Sequence, residues 1–193
     1  MSLKETPSQT AGPFVHIGTM PAIAGLKTKH PGSGNVLAHD GTLGERIRIE
    51  GLIYDGAGAL VKDALVEIWQ ANANGQYGSN DFSGFGRAAT DFESGLFWFE
   101  TIKPGAPPYR DGRKQAPHVS LAIFARGINI HLNTRIYFAD EAEANAKDPV
   151  LRLVEQERRR QTLIARREER KGQVVYRIEF RLQGDDETVF FDV

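Results

Sequence analysis

The sequence predicts an all-β protein built as a two-sheet β-sandwich, with an extended N-terminal arm and a few short helices. Three observations support this class. Short apolar or alternating segments recur along the chain, loops rich in glycine and proline separate them, and strands do not alternate regularly with long helices. We expect residues 1–44 to form the arm and the loop leading into the sheet, and residues 45–193 to form one sandwich domain.

The composition excludes several classes of protein. With 24 Lys+Arg against 25 Asp+Glu, the net charge of −1 gives no basic excess for nucleic acid or a membrane surface. The absence of cysteine excludes disulfides, thiolate zinc sites and a cysteine nucleophile. No apolar run approaches the roughly 20 residues of a membrane span, and the N-terminus has no apolar signal core. These features predict a cytoplasmic protein.

The N-terminal arm is identified by its lack of periodicity. Residues 6–14 are rich in turn-forming residues and show no amphipathic period, which fits either an extended arm or a disordered tail. Residues 46–50 then alternate strictly and predict the first, half-buried strand. The turn-forming residues of Asp55-Gly56 and Gly58 end it.

Two further strands are predicted at residues 64–69 and 96–101, where apolar residues are concentrated. Between them, residues 72–88 are rich in glycine, asparagine and serine, and we expect a long loop with a function. Residues 103–108 contain three prolines, which lack the amide donor, so this segment can be neither strand nor helix.

The second half of the chain predicts strands at residues 119–124 and 128–138, joined by a tight connection or bulge at Arg126-Gly127. One or two helical turns are expected over residues 139–146. Asp148 then reads as an N-cap before Pro149, with Val150, Leu153 and Val154 on one face of a short helix.

Residues 155–171 contain the main cluster of charges, with glutamates interleaved among arginines. This mixture favours a solvated or inter-subunit helical face over a nucleic-acid patch. Residues 175–182 form the clearest strand of the sequence, and Gly184-Asp185-Asp186 turns the chain after it.

A motif resembling half of a metal site lies at the start of the strand that follows Pro117. Side chains alternate along a strand, so residues 118 and 120 point to the same face. Two histidines there would offer two imidazoles to one cation. The sequence instead has His118 and Ser120, and a serine is a poor ligand for a transition metal.

Several segments, in this order and spacing, resemble the intradiol ring-cleavage dioxygenases. The likeness extends from about Thr6 to Phe191. It is carried by residues 6–14, 66–72, 84–87, 101–105, 116–118 and 124–131.

The resemblance implies a β-sandwich and a non-haem ferric centre held by two tyrosines and two histidines. A catecholic substrate chelates that iron, and O2 is inserted between the hydroxyl-bearing carbons. Within the family, the chain resembles the alpha chains of heteromeric members that convert 3,4-dihydroxybenzoate to 3-carboxy-cis,cis-muconate in the β-ketoadipate pathway of aromatic catabolism. In those enzymes a homologous beta chain carries the working iron.

Carried over position by position, the resemblance matches two iron ligands and leaves two vacant. Tyr77 matches the first tyrosine and His118 the first histidine, whereas Pro107 and Ser120 stand at the second tyrosine and the second histidine. We therefore expect no metal site in this chain, only vestigial ligand positions. We expect Fe(3+) in a partner beta chain, with this chain inactive alone.

The resemblance also implies a contribution to the partner's substrate pocket. Thr10, Gly12 and Pro13 match an arm segment that walls the beta chain's pocket, and Arg126 matches an arginine near it. Glycine lets backbone approach a ligand, proline fixes the dihedral angle of the arm, and a guanidinium suits a substrate carboxylate.

Other interpretations stay open on the sequence alone. His118 can be a structural histidine, Tyr77 a packing residue, Arg126 a cap on neighbouring carbonyls, and the arm a simple subunit clasp. The chain as a whole can be a self-associating β-sandwich that binds without catalysis. It can also be a homomeric dioxygenase with substitute ligands such as Tyr109 or His131.

Overall fold

The computed structural model describes residues 9–12, 14–26, 34–79 and 81–192, and in them the chain is mostly β-structure with a few short helices. The strands are β1 (Arg46–Tyr54), β2 (Leu65–Gln70), β3 (Phe85–Ala89), β4 (Phe97–Ile102), β5 (His118–Phe124), β6 (Leu132–Phe138), β7 (Ile164–Arg170) and β8 (Gln173–Arg181). The α-helices are α1 (Val15–Thr19), α2 (Ala142–Lys147) and α3 (Glu157–Gln161), and 3-10 turns lie at Pro21–Ala24, Ala139–Glu141 and Leu151–Leu153.

The strands form one mixed sheet in the order β3-β2-β5-β6-β7-β8-β1-β4. Pairing is parallel between β1 and β8 and between β6 and β7, and antiparallel elsewhere. The β6–β7 junction consists of only two residue pairs, Tyr137 with Ile164 and Phe138 with Ala165, so the sheet has two four-stranded halves. The predicted β class is confirmed. The predicted separation into two sheets is confirmed only in part, because the halves are continuous at this junction.

The core shows that the sheet folds over on itself. Apolar side chains from both halves of the sheet meet in one buried cluster, which a flat sheet would not allow. The β4–β1–β8 half contributes Ile47, Ile49, Phe97, Phe99, Tyr176 and Phe180, and the other half contributes Val66, Ile68, Val119, Leu121, Ile123 and Ile136. His118 and its neighbours therefore lie on the opposite face of β2, β5 and β6.

Most predicted strands are confirmed within one or two residues, and β1 is longer than predicted. It continues through Gly51, where an added Cβ would lie 2.3 Å from Cζ of Phe97. Glycine at this position therefore lets the ring of Phe97 cross the strand. The predicted turn after β1 is also confirmed, since Oδ1 of Asp55 accepts hydrogen bonds from the amides of Ala57 (2.9 Å) and Ala59 (2.8 Å).

Two strand predictions need correction. The segment predicted as one long loop, residues 72–88, contains most of β3, a short strand at the edge of the sheet. Its sequence, Phe-Gly-Arg-Ala-Ala, has no β-branched residue and so carries little strand signal. Residues 128–131 are not part of β6, because Ile130 has a φ of 63° and the strand begins only at Leu132.

The charged segment is helical only at its start. Residues 157–161 form α3, but residues 164–170 form β7 and pair with β8, placing Arg166 opposite Arg177. The prediction of a helical face over residues 155–171 is therefore wrong for its second half. Paired β-structure here is imposed by the neighbouring strand rather than by local periodicity.

The predicted helical turns over residues 139–146 are confirmed by the 3-10 turn at Ala139–Glu141 and by α2. The capping role of Asp148 is also confirmed, since its Oδ1 accepts from the amides of Val150 (2.9 Å) and Leu151 (2.7 Å). The element it begins is a 3-10 turn, however, and Leu153 is 70% exposed while Val150 is buried. The shared apolar face predicted for these residues is absent.

The described part of the N-terminal segment is not extended throughout. Two short helical turns, α1 and Pro21–Ala24, follow residues 9–12. They dock on the β3 edge, where Nη1 of Arg87 donates to the carbonyl of Thr19 (3.2 Å). None of the helices in the described ranges has the length and apolar character needed to cross a membrane.

Candidate functional site

His118, the first residue of β5, lies at the centre of the vestigial metal positions. It is 1% exposed, and its Nδ1 lies 2.8 Å from the carbonyl oxygen of Ala116. A carbonyl can only accept, so Nδ1 carries the proton and Nε2 is the acceptor. The hydroxyl of Tyr77 lies 3.3 Å from Nε2 and donates to it. The residues at the two surviving ligand positions therefore lie together, and each is the hydrogen-bond partner of the other.

Tyr77 is positioned by two loops that touch through glycines. Residues 71–79 turn on Asn72, whose Oδ1 accepts from the amides of Asn74 (2.9 Å) and Gln76 (3.0 Å). An added Cβ at Gly105 would lie 2.3 Å from the carbonyl oxygen of Ala73, so only glycine permits this approach. The Tyr77 ring then stacks on Trp69 with a centroid distance of 6.0 Å and an interplanar angle of 12°.

The two vacated positions supply no donor atom suited to iron. Pro107 contributes only its carbonyl, which accepts from the amide of Gln115 (2.9 Å). Ser120 lies two residues beyond His118 on β5, directly opposite Trp69 on β2 and Arg135 on β6. Its hydroxyl is a weak ligand for a transition metal.

The two proposed substitute ligands, Tyr109 and His131, each have contacts of their own. The Tyr109 ring is flanked by the guanidinium groups of Arg110 and Arg113, at 5.5 and 5.6 Å from its centroid. His131 stacks on Phe124, with ring centroids 5.2 Å apart, near the opposite end of β5 from His118. His131 is therefore not brought to the Tyr77–His118 pair, and the structure does not support a homomeric centre that uses it as a ligand.

Burial and a nearby positive charge shift the acid–base properties of this pair. Desolvation, and then the charge of Arg135, lower the pKa of His118 to about 4. Desolvation raises the pKa of Tyr77, and Arg135 opposes that rise. Near neutral pH, His118 is therefore a neutral imidazole and Tyr77 a neutral phenol.

This donor set does not fit ferric iron. Iron(III) needs anionic oxygen donors. Of the four positions that match the family's ligands, only Tyr77 offers a phenol and only His118 an imidazole, and these two are hydrogen-bonded to each other. Within the described ranges, no group of three or more His, Cys, Asp or Glu side chains is placed to hold a metal ion. The centre therefore lacks the ligands that the family's iron requires.

A partly buried chain of polar side chains, which the sequence did not reveal, lies beside His118 and supports the centre. Nη1 of Arg135 donates to Oε1 of Gln115 (2.9 Å) and to the hydroxyl of Tyr137 (3.3 Å). The hydroxyl of Tyr137 donates to Oδ1 of Asp148 (3.1 Å), whose Oδ2 accepts from the amide of Ala116 (2.8 Å). The signal that could have indicated Arg135 is its place at an outward position of a strand that also carries buried residues.

The residues predicted for the substrate pocket lie together in a second region. Thr10 forms a β-bridge with Asn129, and its hydroxyl donates to the carbonyl of Ala125 (3.2 Å). Gly12, Arg126 and Asp63 line a cavity of about 910 Å³ beside α1. Arg126 pairs with Asp63 and is itself exposed. Pro13 lies outside the described residues.

The chain matches the profile of a dioxygenase family over residues 25–184. It is 52% identical to the protocatechuate 3,4-dioxygenase alpha chain of Pseudomonas putida over 195 aligned positions, covering 98% of this chain and 97% of the relative. It is also 35% identical to the protocatechuate 3,4-dioxygenase beta chain of Burkholderia cepacia over 133 positions, 63% of this chain and 56% of that one.

Solved structures support the fold. The chain superimposes on the dioxygenase domain of a dioxygenase–carbohydrate-binding protein fusion from Streptomyces sp. SirexAA-E with a TM-score of 0.63. The match covers 96% of this chain and 100% of that domain at 21% identity, so it supports the fold and nothing more specific.

Proposed function

The chain belongs to the dioxygenase family, and on that basis we propose that it is the alpha subunit of a heteromeric protocatechuate 3,4-dioxygenase. The reaction is intradiol cleavage of 3,4-dihydroxybenzoate to 3-carboxy-cis,cis-muconate. The subunit contributes to the enzyme without holding the iron. Residues 45–193 form the dioxygenase-like domain of this proposal, and residues 1–44 form its arm.

One observation supports the proposal that this subunit does not hold the iron. The two surviving ligand positions, Tyr77 and His118, hydrogen-bond to each other, and the other two positions are Pro107 and Ser120. A chain arranged in this way offers neither the charge nor the number of donors that ferric iron needs. The ring-cleavage chemistry must then take place in a related chain that keeps all four ligands.

The partner we propose is a homologous beta chain, and the Fe(3+) lies there. The likeness of this chain to a beta chain, 35% over 133 positions, supports two related subunits in one assembly. Bound in the partner, the iron would be chelated by the diol and would supply the chemistry for reaction with O2. This chain supplies residues that line the edge of that pocket, together with one positive charge.

The arm residues are suited to that role. The hydrogen bond from Thr10 to Ala125 and the bridge to Asn129 fix the arm beside Arg126. The side chain of Arg126 is 70% exposed although it pairs with Asp63. Its guanidinium therefore remains accessible to an anion from outside the chain. We propose that Thr10, Gly12, Pro13 and Arg126 line the partner's pocket, with Arg126 attracting the substrate carboxylate.

Oxygen uptake with 3,4-dihydroxybenzoate tests the proposed function. We expect no turnover from the purified chain alone and full turnover after co-expression with a beta chain. The complex is also expected to be red-brown, because tyrosinate-to-iron charge transfer absorbs visible light. A colourless, inactive co-purified complex would instead support a self-associating, non-catalytic protein.

Replacing Gly12 with valine separates the arm's role in the complex from its role in the isolated chain. A Cβ at Gly12 meets no atom within 4 Å in this chain, so we expect the melting temperature of the isolated Gly12→Val chain to be unchanged. In the complex, we expect KM for 3,4-dihydroxybenzoate to rise several-fold, because the new side chain intrudes on the partner's pocket.

The matched control is Gly58→Ala, which also has no atom within 4 Å but lies in the turn after β1. Its effect should be confined to stability, because its φ of 80° disfavours alanine. Unchanged kinetics in the Gly12→Val complex would remove the arm from the substrate pocket.

A further inference from the structure

A positively charged side chain, Arg135, lies beside Ser120, the residue at the position of the second histidine. Arg135 on β6 lies directly opposite Ser120 on β5, and Trp69 on β2 lies opposite Ser120 on its other side. Directly opposed residues of an antiparallel pair point to the same face, with Cβ atoms roughly 5 Å apart. The side chain of Arg135 therefore shares one face of the sheet with His118 and Ser120.

The guanidinium is held in place by neutral partners. Its Nη1 donates to Oε1 of Gln115 and to the hydroxyl of Tyr137, whose ring lies 5.7 Å from the ring of His118. Within the part of the chain that the structure describes, Arg135 forms no ion pair. Its charge therefore lies on the same face as the Tyr77–His118 pair, and the nearest carboxylate of this network, Asp148, is reached through the hydroxyl of Tyr137 and not by direct contact.

A metal ion bound by Tyr77 and His118 would have to share this face with the guanidinium. Two like charges that share one partly buried face repel each other. Loss of ligands weakens metal binding, but a fixed cation opposes it independently. Restoring a ligand alone would leave that second barrier in place.

We propose that the guanidinium of Arg135 takes the place of the metal cation at the vestigial centre, and that its charge, beyond the missing ligands, keeps the centre free of metal. This inference rests on the proposed function, in which the chain is the iron-free subunit. It concerns a positioning and selectivity residue of this chain and needs no partner for its test.

The experiment measures Zn²⁺ affinity of the full-length chain by competition with a chromophoric chelator. Zn²⁺ accepts imidazole and phenolate ligands and does not hydrolyse as ferric iron does. Four proteins are compared: wild type, Ser120→His, Ser120→His/Arg135→Met and Ser120→His/Arg135→Lys. A fifth, Ser120→His/Arg177→Met, removes an equal charge from an exposed position on β8.

We expect wild type, Ser120→His, its Arg135→Lys derivative and its Arg177→Met derivative to bind Zn²⁺ weakly. The Arg135→Met derivative should bind at least about tenfold more tightly than Ser120→His, as removal of one neighbouring charge predicts. Circular dichroism checks the fold. Should the methionine variant be unfolded, Ser120→His/Arg135→Gln, which keeps a donor for Tyr137, makes the same comparison.

Equal affinities for Ser120→His and its neutral derivatives, or equal gains from Arg135→Lys and Arg135→Met, would overturn the role of the charge. Tight metal binding by wild type would instead contradict the proposed function. The two failures are therefore distinguishable within one titration series.

Discussion

Replacing Asp148 with alanine is expected to lower the free energy of unfolding by at least about 3 kcal/mol. The carboxylate is fully buried and accepts four hydrogen bonds. The donors are the amides of Ala116, Val150 and Leu151 and the hydroxyl of Tyr137. Alanine would leave these buried donors without their partner, and each unsatisfied group costs roughly 1–3 kcal/mol. Urea denaturation of the isolated chain measures the loss.

Asp186→Ala is the matched control for Asp148. Asp186 is exposed in the turn after β8, so its replacement should change the free energy of unfolding by less than about 0.5 kcal/mol. Asp148→Asn keeps one acceptor oxygen and is expected to lie between the two. If Asp148→Ala were as stable as the control, the chain of polar side chains from Arg135 to Ala116 would not be a structural support for the centre.

The second large effect is a dependence of stability on pH that depends on His118. Burial lowers the pKa of His118 to about 4 in the folded chain, against about 6.5 in the unfolded chain. Below pH 6.5 the unfolded chain therefore takes up a proton that the folded chain does not. This contribution to stability is fully present above pH 6.5, is lost as the pH falls, and changes no further below about pH 4.

Comparison with His118→Gln isolates this contribution, because all other groups titrate in both proteins. Between pH 7 and 5, we expect wild type to lose about 2 kcal/mol more of its free energy of unfolding than His118→Gln does. Urea titrations at several pH values give this difference. Parallel curves for the two proteins would mean that His118 is protonated as readily in the fold as outside it.

The strands of this fold could be predicted where burial leaves a periodic pattern. β1, β2, β4, β5 and β8 combine alternating burial with apolar residues, and the sequence located each of them. β3 and β7 could not be located, for different reasons. β3 is a short edge strand with glycine and alanine, while β7 carries charges on both faces and owes its conformation to β8.

The centre shows a similar limit. Tyr77, His118, Pro107 and Ser120 could be matched to ligand positions only through the resemblance of the sequence to the family. Arg135 could not, because its position opposite Ser120 depends on the register of β5 against β6. The long-range partnership between Asp148 and Ala116 was likewise not encoded in any local pattern, although the capping function of Asp148 was.

The iron content of this chain, purified alone and in complex with a beta chain, tests the central claim most directly. We expect negligible iron in the isolated chain and one iron per alpha–beta pair in the complex, all of it retained by the beta chain after the subunits are separated. Near-stoichiometric iron in the isolated chain, together with oxygen uptake on a dihydroxybenzoate, would contradict the account.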